Sequence, residues 1–389
     1  MLRPPHSERM NTAAPTTARR RLHGLDLARA LALLGMVAVH TIPLLNETGD
    51  PQPIAILSGK AAALFAVLAG FSVTLATRKY HRKSHATAAL ISRGLLIAGI
   101  GAVLGTLPSG VAVILVNYGV MFMLAPLVLH LSTRALAFLT PTWLLVSPVV
   151  SFWVRNFAGT DSHTVMPHLA NLTDPATYAA IFLTGYYPVL QWFGYLLAGL
   201  LLSRLDWSRA ATAVRTTLVG GFAALAAYGT SAILLTLGGY ETLQELSEDR
   251  APGTWGSIAS TMFTGSYGTV PTDSWWWLAA PGPHTNTPVD MVATAGTSLL
   301  VIGLCMLLFR HASAHGSVMR VALATGSMPL TLYTAHVVLL LFTSSFLVHA
   351  LVLVAFAGLW AAHVKQPGPL EFGVTRVVRN VLDKAGHGK

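Results

Sequence analysis

The sequence predicts an all-α integral membrane protein with about ten transmembrane helices and both termini in the cytoplasm. Only 10% of its 389 residues are charged and 53% are hydrophobic, whereas a soluble domain carries about 25% charge. Apolar stretches of the length that a helix needs to cross a bilayer recur along the chain. Cationic residues collect in alternate loops. This composition excludes a soluble enzyme, and the single Cys305 excludes a disulfide scaffold.

Ten stretches have the composition of a membrane span. Because no water reaches the backbone inside the bilayer, each must satisfy its polar groups as a helix. The stretches lie at residues 25–45, 57–77, 87–107, 110–131, 135–154, 179–203, 213–238, 289–310, 322–344 and 346–364. The fifth contains Pro141 and Pro148, which makes it the least regular of the ten.

The charge distribution predicts the orientation. The cationic clusters that fall on one side of the predicted membrane are Arg19–Arg21, Arg78–Lys83, Arg134, Arg204–Arg209, Arg310–Arg320 and the tail from Lys365. Basic loops stay in the cytoplasm, so both termini are expected there. The same rule accounts for the net charge of +10 without any nucleic-acid partner. The expected surroundings are the lipid bilayer, in a plasma (inner) membrane.

Three regions are predicted along the chain. Residues 1–20 are polar and form a disordered cytoplasmic tail, and residues 21–366 form the transmembrane domain. Residues 367–389 form an amphipathic helix and tail on the cytoplasmic leaflet. The outer loop at 239–288 contains Trp255 and Trp275–Trp277, which favours an ordered loop resting at the interface, with simple anchoring of these aromatic side chains in the interface as the alternative.

Ionisable groups within a span are costly and therefore point to function. Arg29 and His40 are eleven residues apart in the first span, which places them on one helix face and about 16 Å apart along its axis. A guanidinium fork suits phosphate oxygens, and a desolvated imidazole suits a general base. Alternatively, Arg29 snorkels to lipid headgroups and His40 bonds a neighbouring helix.

Further cations and one further histidine extend this set. Arg78 and Arg93 lie at or near cytoplasmic span ends and are candidates for the donor phosphates, with snorkelling as the alternative for Arg93. His336 lies about 21 Å into the ninth span, a depth that matches His40, or else it is a satisfied core histidine. Lys60, near the outer boundary, could bind an anionic acceptor or snorkel.

An outer motif combines His284 with Asp290, a carboxylate that could orient an imidazole. The alternative is that Thr287 and Asp290 cap the start of a helix. His349 and His363 are predicted to be interfacial. The pairs His81/His85 and His311/His315 have helical spacing but no carboxylate beside them, so no metal site is expected. Nucleotide-hydrolysis and Gly-x-Ser-x-Gly motifs are absent from the sequence.

Several segments resemble those of a known superfamily. Leu22–His40 is similar to the Arg-Gly-(apolar run)-His signature of the acyltransferase-3 superfamily, with Ala30 in place of the glycine. The remaining segments are Ala63–Ser72, Thr184–Trp192, Pro283–Asp290, Gly326–Tyr333 and Gly368–Glu371. Their order and spacing most resemble bacterial relatives of heparan-alpha-glucosaminide N-acetyltransferase and the YeiB-like proteins.

The resemblance implies transfer of an acyl group, typically acetyl, from cytoplasmic acyl-CoA to a sugar, amino-sugar, glycan or lipid acceptor at the outer face. By this resemblance Arg29 contacts the donor, His40 is the catalytic histidine, and His284 and Asp290 belong to the outer motif. His336 joins Asp290 and His284 as a group that could orient the base or stabilise charge. Homodimerisation is left open. The alternative function is a lipid or glycan-precursor transporter or flippase without acyl-transfer activity.

Overall fold

The computed structural model of the protein describes residues 22–159, 165–248, 257–311, 316–364 and 366–386. Across these residues the structure is helical. The helices are α1 (His23–Thr41), α2 (Lys60–Thr77), α3 (Lys83–Leu104), α4 (Leu115–Leu124), α5 (Pro126–Leu129), α6 (Thr133–Ala158), α7 (Pro175–Ala179), α8 (Val189–Leu202), α9 (Ala210–Leu234), α10 (Tyr240–Glu245), α11 (Ile258–Phe263), α12 (Pro288–His311), α13 (Ser317–Ser327), α14 (Pro329–Leu339), α15 (Phe346–His363) and α16 (Pro369–Gly386). The predicted tail at 1–20 and Trp255 lie outside the described residues.

Seven helical segments of the described chain are long and apolar enough to cross a membrane. They are His23–Thr41, Pro53–Thr77, Lys83–Leu104, Thr133–Ala158, Ala210–Glu245, Pro288–Arg310 and Phe346–His363. The fifth predicted span is one of them, since α6 continues through both of its prolines. All ten predicted stretches contain helix, but those at 110–131 and 179–203 correspond to shorter apolar helices. The count of ten and the cytoplasmic termini therefore stay predictions.

The ninth predicted span is not the continuous helix expected over 322–344. Helices α13 and α14 meet at a bend of 84° at Met328, and Pro329 is the first residue of α14. Proline has no backbone N–H to donate and its ring clashes with the preceding turn, so Pro329 disfavours continuation of α13, whereas it is well suited to the first position of a new helix. Counted as one broken span, this pair gives an eighth crossing.

Helix α1 lies at the centre of the bundle. It packs against α2, α12 and α13, and it also touches α14 and α15. Close packing here depends on small residues, as is common in membrane helices. A Cβ added to Gly326 of α13 would overlap the backbone carbonyl of Asp26 on α1. Helices α9 and α12 approach in the same way through Gly220 and Gly296.

The outer loop has a core of its own, which confirms the predicted order over its described part. Trp277 is fully buried and packs with Phe152 and Val270, while Trp275 is 53% exposed. Arg155 is buried at the end of α6 and donates a hydrogen bond to the carbonyl of Val270 at 2.8 Å. Aromatic anchoring therefore does not describe Trp277, which is a core residue.

Helix α16 confirms the helix predicted near the C-terminus, although it does not simply lie on lipid. Its apolar side chains Val374, Val378 and Leu382 are buried against Ala89 of α3. The helix thus closes one end of the bundle and places Glu371 at the start of α14.

Candidate active site

Arg29 is held between two helices near the start of α1. Its Nη1 donates to Oδ1 of Asp26 at 2.8 Å, one turn earlier, and its Nη2 donates to Oγ of Ser72 on α2 at 3.0 Å. The side chain of Arg29 is 17% exposed and that of Asp26 is 6% exposed. Arg29 therefore does not extend toward headgroups, as the snorkelling alternative would require.

Two cavities meet at Arg29. The larger, here called the arginine cavity, has a volume of about 560 Å³ and is also lined by Arg78 and Trp207. The smaller, here called the inner cavity, has a volume of about 140 Å³ and is also lined by Arg93 and Tyr333. The structure thus brings the three predicted donor-binding cations to two neighbouring cavities.

Arg78 and Arg93 are each anchored to the protein. Nη2 of Arg78 donates to the carbonyl of Ser203 at 2.8 Å, and Nη2 of Arg93 donates to Oγ1 of Thr375 on α16 at 3.3 Å. Each of these bonds uses one of the five N–H groups of a guanidinium. The two guanidinium groups are therefore held in position beside the cavities that they line.

His40 and His336 are in direct contact. Nδ1 of His40 lies 3.0 Å from Nε2 of His336, and the two rings are stacked with centroids 5.2 Å apart. His336 is fully buried, whereas His40 is partly exposed. The alternative that His40 bonds a neighbouring helix therefore holds, but its partner is the second candidate histidine.

His349, predicted to be interfacial, is instead a buried neighbour of His336. The two ring centroids are 4.9 Å apart, with the rings at 70°. Nδ1 of His349 lies 3.0 Å from the carbonyl oxygen of Ser345. His336 lies three residues before the end of α14, and His349 lies three residues after the start of α15. Because the connection between these helices is short, the two residues lie at a similar depth in the bundle, and their spacing in the sequence could have indicated this. We call His40, His336 and His349 the histidine cluster.

The predicted outer motif forms a compact turn. His284 and Asn286 have φ values of 54° and 49°, and the ring of His284 packs against Tyr186 and Trp192. Nε1 of Trp192 donates to Oδ1 of Asn286 at 2.9 Å. Burial, followed by the positive charges possible at His40 and Lys60, lowers the pKa of His284 to about 3, so this imidazole is neutral at physiological pH.

Asp290 stabilises this turn and the start of α12. Its Oδ2 accepts a hydrogen bond from the backbone N–H of Asn286 at 3.0 Å, and its own N–H donates to Oγ1 of Thr287 at 3.1 Å. This is the capping arrangement that the sequence left as the alternative. Within the described part of the chain, no hydrogen bond joins Asp290 to a histidine.

An apolar cleft opens beside the outer motif. It has a volume of about 970 Å³, and its walls include Leu31 of α1, Leu64 of α2 and Val301 of α12. Lys60 also lines this cleft, with Nζ 5.8 Å from the ring centroid of Tyr228. No described carboxylate lies within ion-pair distance of Lys60. We call this space the outer cleft.

Residues 21–236, more than half of the chain, match the family model of the catalytic domain of heparan-alpha-glucosaminide N-acetyltransferase. The chain belongs to this family. No curated protein and no solved structure matches it. The matched region includes Arg29, His40, Arg78 and Arg93 and ends before the outer motif and α14.

Family membership confirms the predicted relationship and makes the chain a multi-pass membrane transferase. The family match gives no support to the transporter alternative. Among the described residues no cluster of histidine, cysteine and carboxylate side chains is arranged to hold a metal ion.

Proposed function

We propose that the protein transfers an acetyl or other acyl group from cytoplasmic acyl-CoA to an acceptor at the outer face of the membrane. The observation that carries the proposal is the arrangement of α1 within the family match. This helix places Arg29 at two cavities and His40 in the histidine cluster, about 16 Å further along its axis. One helix thus connects a phosphate-binding group to a base.

The donor phosphates bind in the arginine cavity. Arg29 and Arg78 line it, and guanidinium groups bind phosphate oxygens through two parallel N–H donors. The charge distribution of the loops predicts that this end of the bundle faces the cytoplasm, where acyl-CoA is made. Arg93, on the inner cavity, adds a third positive charge next to the pantetheine arm.

The thioester follows α14 toward His40. Neither cavity that Arg29 lines includes His40 among its lining residues. However, Tyr333 lines the inner cavity and His336, one helical turn later on α14, contacts His40. A path from the inner cavity along this turn is therefore short. This path opens when the donor binds.

His40 acts as the general base. Its Nε2 takes the proton from the acceptor amine or hydroxyl as the acceptor attacks the thioester carbonyl. The new C–N or C–O bond forms, the C–S bond breaks, and the proton passes from His40 to the leaving thiolate of coenzyme A. His336 holds the ring of His40 through the 3.0 Å contact, while His284 and Asp290 shape the outer rim of the site.

The acceptor enters through the outer cleft. The cleft has apolar walls and a single lysine at one side, so it suits a sugar or amino-sugar acceptor carried on a lipid with an anionic group near Lys60. A lipid-borne acceptor would reach this site laterally from the membrane.

The test is transfer of radiolabelled acetyl from acetyl-CoA by the purified protein in liposomes that contain total membrane lipid and glycolipid. His40→Ala is expected to abolish labelling while thermal unfolding stays within a few degrees of the wild type. His81→Ala, in an exposed loop, is the matched histidine control and is expected to keep full activity. Full turnover by His40→Ala would refute the role of His40.

A second measurement tests the donor site independently of the acceptor. Acetyl-CoA should raise the melting temperature of the wild type, because a ligand that binds only the native state stabilises it. The shift should be lost in Arg29→Gln and retained in His40→Ala. A shift that is equal in all three proteins would place the donor elsewhere.

A further inference from the structure

His349 has no role in the steps above, yet it is fully buried against His336. We propose that His349 is a positioning residue that fixes which ring nitrogen of His40 carries the hydrogen. The inference rests on the proposed function, since it matters for catalysis only if His40 is the base. It extends the site beyond the region matched by the family, which ends at residue 236.

The chain of contacts begins at the carbonyl of Ser345. A carbonyl oxygen can only accept a hydrogen bond, so Nδ1 of His349, 3.0 Å away, carries a hydrogen and donates it. In its neutral form an imidazole has one N–H and one lone pair, so with the hydrogen on Nδ1 the lone pair of His349 is on Nε2.

The next contact, between His349 and His336, determines which ring nitrogen of His336 carries the hydrogen. Nε2 of His349 and Nδ1 of His336 are both buried and have no hydrogen-bond partner among the described residues. They belong to neighbouring rings whose centroids are 4.9 Å apart. These two unpaired atoms do not bond each other in the structure, but a hydrogen on Nδ1 of His336 would let a small ring rotation pair them, whereas the other tautomer leaves two lone pairs that cannot bond each other. Nδ1 of His336 is therefore the protonated nitrogen.

The last contact in the chain is the one between His336 and His40. With its hydrogen on Nδ1, His336 has a lone pair on Nε2, and this lone pair accepts the hydrogen of Nδ1 of His40 across 3.0 Å. Nε2 of His40 then has the lone pair that a general base needs. The protonation state of the reacting nitrogen is thus determined by a backbone carbonyl, two imidazoles away. In serine hydrolases an aspartate fixes the tautomer of the histidine base in a comparable way.

Two substitutions of His349 separate the acceptor at Nε2 from the rest of the side chain. His349→Asn places an amide near the position of Nδ1 but has no atom at the position of Nε2. His349→Gln reaches the position of Nε2 and can offer an amide oxygen there as the acceptor. His363→Asn is the matched control, because His363 makes the same Nδ1 contact with a carbonyl four residues earlier, at 2.9 Å, but is exposed.

The direct readout is ¹⁵N NMR of the histidine ring nitrogens in histidine-labelled protein, with His40 and His336 assigned by their loss in single variants. The wild type and His349→Gln should show His40 with its hydrogen on Nδ1, and His349→Asn should show a mixture of the two tautomers. In the transfer assay, His349→Asn should lower kcat at least about tenfold with the KM for acetyl-CoA unchanged, and His349→Gln should restore most of it.

The role of His349 and the proposed acyl transfer can be refuted separately. A hydrogen on Nε2 of His40 in the wild type, or an unchanged tautomer in His349→Asn, would overturn the role of His349 even if the protein transfers acetyl groups. Absence of any acetyl transfer would refute the proposed function, while the NMR result would still decide the hydrogen-bond chain. Should His349→Asn fail to fold, a hydrogen on Nε2 of His40 in the wild type would still overturn the proposal, and His349→Leu, which also lacks the acceptor, would take the place of His349→Asn in both measurements.

Discussion

Glu371 of α16 caps the start of α14, the helix that carries His336. Its Oε1 accepts hydrogen bonds from the backbone N–H groups of Leu330 at 2.7 Å and Thr331 at 3.2 Å. Its Oε2 accepts from the hydroxyl of Thr331 at 2.5 Å. The residue in the N-cap position, Met328, has no side chain that could do this. We therefore predict that removal of this carboxylate destabilises the break between α13 and α14.

The expected cost can be worked from these bonds. A hydrogen bond to a charged group contributes about 1.5–3 kcal/mol, and loss of an N-cap costs about 0.5–2 kcal/mol. Water can replace part of what is lost because Glu371 is only partly buried. Glu371→Ala should therefore lower the free energy of unfolding by about 2–4 kcal/mol. Glu371→Gln, which keeps an acceptor oxygen but loses the charge, should cost about half as much.

The assay is thermal unfolding in detergent, combined with the transfer assay. Glu245→Ala, an exposed carboxylate on α10, is the control and should change stability by less than about 0.5 kcal/mol. Because α14 positions His336 against His40, Glu371→Ala should also reduce kcat. If Glu371→Ala matches the control in stability, the capping role is wrong, and α14 is fixed by its packing alone.

Three further substitutions test the packing and the electrostatics. Gly326→Ala adds a Cβ that overlaps the carbonyl of Asp26, so it should separate α13 from α1 and cost about 1–3 kcal/mol in thermal unfolding; wild-type stability would show that the helices can shift at no cost. The lowered pKa of His284 means that, as pH falls from 7 to 5, protons bind the unfolded state first, which should lower stability by about 2 kcal/mol. His284→Asn should remove that part of the pH dependence, since asparagine tolerates the positive φ at this position. If the melting temperature depends on pH in the same way in both proteins, His284 is not the group responsible. Trp192→Phe removes the donor to Asn286 and should cost about 1 kcal/mol, measured by the same unfolding assay, whereas no loss would mean that water replaces the indole.

The segments that indicated the family from sequence contact one another in pairs. Arg29 of the first segment bonds Ser72 of the second, and Trp192 bonds Asn286. Thr331 bonds Glu371 in the same way. Spacing along the chain could indicate that these residues belong together as a set. It could not indicate which of them touch, because each pair joins segments that only the packed bundle brings together.

Hydropathy predicted where helices occur more reliably than it predicted their continuity. An average over about 20 residues is insensitive to a local break, so the segments at 110–131 and 179–203 were expected as full spans although their helices are shorter. The two prolines also made the fifth predicted span the least regular, although α6 accommodates Pro141 and Pro148 within one helix. Charge in the loops predicts sidedness, and that inference depends on the membrane rather than on any contact within the protein.

His40 and His336 are in contact, but not for the reason that the sequence suggested. The sequence matched the two by depth, with His336 about 21 Å along a straight helix that begins at residue 322. The helix instead turns by 84° at Met328, so His336 lies only about 10 Å along α14 from Pro329. The depth calculation therefore does not apply to this chain. The break, which Pro329 favours and Glu371 caps, directs α14 and its histidine toward the end of α1.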